Sequence, residues 1–154
     1  MLDESLIWFI LFLFLAIVSI LVIPRKELSK LLPIGIFAGF LLAMLLLVFL
    51  VPLLGLWQFK TAVYPALGFP IFSAALWIPA VMIFSYYTPL FDKRNMLIYW
   101  ILIFTTLTTI VIGLITNAGF ISFINWDLMA TFLLSFAIHS ILALFILKYN
   151  IVQE

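Results

Sequence analysis

The sequence predicts an all-α, polytopic transmembrane bundle of five spans, and three observations lead there. The chain has 154 residues, of which 68% are hydrophobic and 8% charged, with a mean hydropathy of +1.42. A soluble domain carries about 25% charged residues, so this chain has too little polar surface to clothe a water-soluble particle. The charges, 7 Lys+Arg and 6 Asp+Glu, fall in small groups that punctuate the sequence. Between the groups lie five uncharged stretches: Ser5–Pro24, Leu31–Phe59, Thr61–Phe91, Asn95–Trp126 and Leu128–Leu147. Each is long enough for one crossing of about 20 residues and too short for two crossings and a turn. The runs are continuously apolar and lack the period-two alternation of a membrane barrel.

The five helices are expected near residues 5–23, 32–52, 70–88, 96–116 and 127–147, in a single transmembrane domain over 1–154. Pro24 follows the first, and Pro33 is placed in the first turn of the second, where a missing N–H costs little. Pro52 and Pro89 stand at span ends and help to stop a helix. Pro79 lies in the middle of the third span, where it frees a carbonyl and predicts a kink. Asn125 is suited to cap the fifth helix, and Asp127 in its first turn complements the helix dipole.

Lys/Arg bias in short loops sets orientation. Arg25, Lys26 and Lys30 follow the first span, Lys93 and Arg94 the third, and Lys148 the fifth, all on one side. Lys60 is alone on the other, with Asp3, Glu4 and Asp127. The prediction is an N-terminus outside and a C-terminus in the cytoplasm. The acidic start is unlike the basic n-region of a cleavable signal, so the first helix is expected to remain. The two outer loops, residues 55–69 and 117–126, are apolar and aromatic. They are expected to lie in the interface, with Trp57, Tyr64 and Trp126 in an aromatic belt; a lid or partner surface is the sharper reading.

His139 is the only histidine and lies near the middle of the fifth span. A titratable group at that depth is a functional-site hypothesis; the plainer reading is an interhelical hydrogen bond from a neutral imidazole. It belongs to a row spaced by four, Asp127, Thr131, Ser135, His139 and Ala143, which shares one helix face. The fourth span has a matching row: Thr105, Thr109, Gly113 and Asn117. The two rows are expected to face each other as a polar, small-residue seam. That seam is either packing glued by hydroxyls or a narrow ligand site open to the outside at Asp127. In the second span, Gly35, Gly39 and Ala43 form an extended GxxxG face for close helix packing, against an internal neighbour or a second protomer.

Much is missing. The chain has no HExxH, GxSxG, Walker A or GxGxxG motif. One histidine without cysteine cannot make a zinc site, and the absence of cysteine excludes disulfides, thiol catalysis and Cys lipidation. No charge lies mid-span for an ion pump or voltage sensor. No cofactor or metal is expected, and no enzymatic activity. The expected partners are the bilayer itself, and a second copy of the chain or another membrane protein; nucleic acid is excluded.

One set of residues is familiar. It comprises Ile23-Pro24-Arg25-Lys26 after the first helix, Tyr64-Pro65 before the third, the loop Asp92-Lys93-Arg94-Asn95, Trp100, and Gly119-Phe120-Ile121 leading to Asn125-Trp126. The layout resembles a family of small, uncharacterised five-span integral membrane proteins from spore-forming Gram-positive bacteria. The resemblance implies a bacterial cytoplasmic membrane and the same topology, and carries no chemistry. The first functional expectation is therefore a helical-bundle accessory or interaction subunit. The second is a transporter or receptor for a small apolar or amphipathic ligand at the seam around His139, which requires a cavity reaching that residue. A lipid-modifying enzyme using Asp127 and His139 ranks last, since twelve residues of helix separate them by about 18 Å.

Overall fold

A computed structural model describes residues 4–60, 68–91 and 93–149, without the side chains of Glu4, Ser5 and Arg94. Asp3, Tyr64, Pro65 and Asp92, named above, lie outside the described residues. Helix α1 runs Glu4–Val22. After a bend at Ile23–Pro24, α2 runs Arg25–Leu53, followed by the short strand β1, Trp57–Phe59. Helix α3 is Ile71–Phe91 and α4 is Arg94–Asn117. Strand β2, Ile121–Phe123, precedes α5, Leu128–Tyr149. Helices α2 to α5 are each long and apolar enough to cross a membrane, and α1 contributes a shorter apolar helix, Leu6–Val22.

Two contact sets define the ends of the bundle. At one, the Tyr87 hydroxyl donates to the Val22 carbonyl at 3.3 Å, and the last turn of α3 packs on the start of α4 and on α5. Arg25, Lys26, Lys30, Lys93 and Lys148 gather at this basic end. At the other, β1 and β2 pair antiparallel, with Trp57 opposite Phe123, Gln58 opposite Ser122 and Phe59 opposite Ile121. Trp57, Phe59 and Ile121 point inward and are buried, whereas Gln58 and Ser122 are exposed. The connections expected to lie along the interface thus join, in part, into an amphipathic cap on the bundle.

Helix α2 begins seven residues earlier than expected, at Arg25 rather than 32. Arg25, Lys26 and Lys30 therefore sit on its first turns, not in a loop. Pro24 starts the helix as its N-cap, and Pro33 lies inside it. Along this helix every fourth residue is buried, from Glu27 through Leu31, Gly35, Gly39 and Ala43 to Leu47. A regular α-helix would not keep such a row on one face, because four residues overshoot a turn by about 40°. The segment Gly35–Leu41, within the row, has wider π-type turns that take up the overshoot, and a second such segment, Phe49–Leu53, follows the row.

The row packs against α3. A methyl group at Gly39 would come to 2.5 Å from the Trp77 carbonyl oxygen, and one at Gly35 to 2.9 Å from the Met82 side chain. The small-residue face is thus occupied by an internal neighbour. Helix α3 breaks at Leu76, between Ile71–Ala75 and Trp77–Tyr87. Pro79 accounts for the position of the break. Its ring clashes with the carbonyl four residues earlier, that of Ala75, and offers it no N–H.

Apolar packing is organised in two clusters. One, at the sheet end, is built around Trp8, Leu47, Phe59, Phe69, Ala74 and Ile112. The other, at the basic end, centres on Leu31, Met82, Phe84, Ile101, Ala143 and Ile146.

Candidate functional site

A cavity of about 100 Å³ lies within the bundle, walled by residues from all five helices and both strands. Its apolar walls include Trp8 of α1, Ala43 and Leu47 of α2, Trp77 of α3 and Ile112 of α4. Trp57 and Phe59 of β1 and Ile121 of β2 form its wall at the sheet end. Helix α5 contributes Thr131, Ser135, His139 and Leu142.

The α5 row is buried as expected from Thr131 through Ser135 and His139 to Ala143. His139 is 4% exposed. Its ring lies edge-on to Phe84, with centroids 5.0 Å apart, and 5.8 Å from the ring of Phe104. Nδ1 lies 2.8 Å from the Ser135 carbonyl oxygen and 3.2 Å from the Ser135 hydroxyl. A carbonyl can only accept, so Nδ1 carries the proton and donates. In the neutral ring this leaves Nε2 as an acceptor, and no described residue supplies it with a partner. The hydrogen bond expected of His139 therefore forms, but within its own helix rather than between helices.

The α4 side of the seam differs from expectation. Thr105 is fully buried, while Thr109 is half-buried and Asn117 exposed. The buried positions of α4 are Ile101, Thr105, Ile112 and Ile115, and Thr108 joins Ile112 on the cavity wall. The row spaced by four winds off the bundle-facing side by about 40° at each step, whereas alternating steps of three and four stay on it. Thr109 turns its hydroxyl back to the Thr105 carbonyl at 2.9 Å, and the Thr105 hydroxyl has no partner among the described residues.

The predicted seam thus divides into two places. Thr131, Ser135 and His139 face the cavity. Gly113, Asn117 and Asp127 line a shallow depression of about 470 Å³ at the sheet end, beside Phe123 and Trp126. Asp127 is exposed and its Oδ1 accepts the Ala130 N–H at 2.7 Å, so Asp127, rather than Asn125 as expected, caps α5, which begins at Leu128. Trp126 donates from Nε1 to the Thr131 hydroxyl at 2.8 Å, and that hydroxyl donates to the Asp127 carbonyl at 3.0 Å.

Two features escaped the sequence reading, the burial of Trp57 and that of Glu27. Trp57 was read as an interfacial belt residue, yet it is buried on the cavity wall, and its indole N–H has no partner among the described residues. Ser73, on the same wall, donates to the Pro70 carbonyl at 2.6 Å. Glu27 is a buried acid in the first turn of α2, with Oε2 3.7 Å from Lys30 Nζ. Its position in the every-fourth-residue row, one step before Leu31, is a signal that could have found it. Among the described residues no group of three or more His, Asp or Glu side chains could hold a metal ion. Comparison with protein-family models, with curated proteins and with solved structures gives no match.

Proposed function

We propose that the chain is a multi-pass protein of the cytoplasmic membrane that binds a small apolar or amphipathic molecule inside its helical bundle, as a transporter or receptor. The observation that carries this reading is the apolar cavity with His139 on its wall. Ligand pockets are concave and mostly apolar, with a few polar groups that fix orientation. Here such a group is the imidazole of His139, whose Nε2 has no protein partner among the described residues.

The same reading takes α1 as a fifth span. Its 19 residues extend about 28 Å, close to the hydrocarbon thickness, and it packs on α3. The gathering of Arg25, Lys26, Lys30, Lys93 and Lys148 supports a cytoplasmic basic end and an outward sheet end. The accessory-subunit reading drew on the GxxxG face of α2, and Gly35 and Gly39 now have α3 against them. That face is no longer available to a second protomer or another membrane protein.

The experiment is native mass spectrometry of the protein released from mild detergent. A small apolar adduct should accompany the wild type, at reduced occupancy in His139→Phe, whose larger ring intrudes on the cavity. A wild type that is bare, and that acquires nothing when incubated with a total lipid extract, contradicts the reading.

A further inference from the structure

The shape and chemistry of the cavity narrow the occupant. The α5 residues on its wall run from Thr131 to Leu142, eleven residues along the helix and so about 16 Å. The volume is only about 100 Å³. A cavity of about 150 Å³ holds benzene, so this smaller space takes a short chain of about five non-hydrogen atoms and excludes a fused ring system or a two-chain lipid. Apolar cavities of this order hold small hydrocarbons and stay dry.

The polar atoms select further. The Ser73 and Thr131 hydroxyls already donate to the carbonyls of Pro70 and Asp127. The acceptor left over at mid-cavity is His139 Nε2. An acceptor without a donor in apolar surroundings is costly, and a ligand that brings an O–H removes the cost. A carboxylate brings no donor and would bury a charge.

Resting on the binding function proposed above, we propose that the occupant is a single-chain aliphatic alcohol. Its hydroxyl donates to His139 Nε2, and its chain lies along α5 toward Trp57.

3-Bromopropanol and 1-bromobutane have equal numbers of heavy atoms and differ in the donor. Their bromine quenches tryptophan emission, and Trp8, Trp57 and Trp77 stand on the wall. Titrating each into the wild type and into His139→Leu in the same micelles yields a ratio of ratios from which micelle partitioning cancels. The alcohol-to-alkane affinity ratio should fall about tenfold in His139→Leu, as expected for one hydrogen bond to a neutral acceptor in a dry site. If both probes bind the wild type saturably and the ratio is unchanged in the variant, the alcohol assignment is wrong while the binding function stands. If neither probe binds the wild type saturably, both fall. Circular dichroism checks the helix content of the variant, and His139→Met serves as the second substitution if His139→Leu does not fold.

Discussion

Two threonines of the same bundle make opposite predictions. The Thr131 hydroxyl accepts from the Trp126 indole and donates to the Asp127 carbonyl. Thr131→Val keeps the shape and strands a part-buried indole N–H, so it should cost about 1–3 kcal/mol. The Thr105 hydroxyl is fully buried without a partner among the described residues. Thr105→Val removes an unsatisfied group and should be neutral or stabilising. Unfolding titrations of both variants in mixed micelles measure the difference; equal losses would mean that Thr105 has a bond the structure lacks. Glycines divide in the same way. Gly39→Ala drives a methyl into the Trp77 carbonyl and should cost about 1–3 kcal/mol by overpacking. Gly113→Ala meets only the Leu128 methyls at 3.4 Å and should be tolerated. At this scale the sequence was readable where a residue is rare. One histidine in an uncharged span marks itself, and its burial with Ser135 and Thr131 followed from spacing. Which nitrogen bonds, and to what, did not follow, because the partner is a carbonyl, which every residue possesses.

The helices were legible in existence and type, since twenty apolar residues between charges leave a membrane chain few choices. Their internal irregularities were legible only where proline causes them. Pro79 predicts a kink, and the break at Leu76 lies at the preceding turn, as its clash with the Ala75 carbonyl requires. The π-type turns at Gly35–Leu41 have no such local cause. They serve the contact between α2 and α3, and a pattern read along one chain cannot see a neighbour. The start of α5 offers a test of what Asp127 does. Its carboxylate is exposed and accepts the Ala130 N–H. Asp127→Ala should therefore lower stability by about 1 kcal/mol, and Asp127→Ser, which keeps a capping oxygen, should restore most of it. Thermal unfolding read by circular dichroism decides. An Asp127→Ser protein no better than the alanine variant would assign the carboxylate another role.

The whole molecule is a bundle closed at one end by six residues of β-structure that no pattern in the sequence announces. Three-residue strands are too short for alternation to stand out, and WQF and ISF look like any aromatic loop. Only pairing across more than sixty positions gives them a buried face and an exposed one. This cap forms the cavity wall at the sheet end through Trp57, Phe59 and Ile121, and the chain on either side of it turns at glycines with positive φ, Gly55 and Gly119. A ligand reaching His139 from that end must pass the cap; one entering sideways between helices need not. Gln58 and Ser122 face each other on the exposed side. The Lys60 N–H bonds to the Phe120 carbonyl and the Ile124 N–H to the Leu56 carbonyl. By the alternation of an antiparallel ladder, Gln58 and Ser122 are then a hydrogen-bonded pair, with Cα atoms about 5.5 Å apart. That spacing admits a disulfide, and the chain has no cysteine of its own to interfere. The double variant Gln58→Cys/Ser122→Cys should oxidise without losing helix content. With the cap locked, the rate at which a brominated alcohol quenches tryptophan emission should fall about tenfold or more, and a reductant should restore it. An unchanged rate in the oxidised protein would assign entry to the lipid-facing gaps between helices and leave the cap a purely structural part.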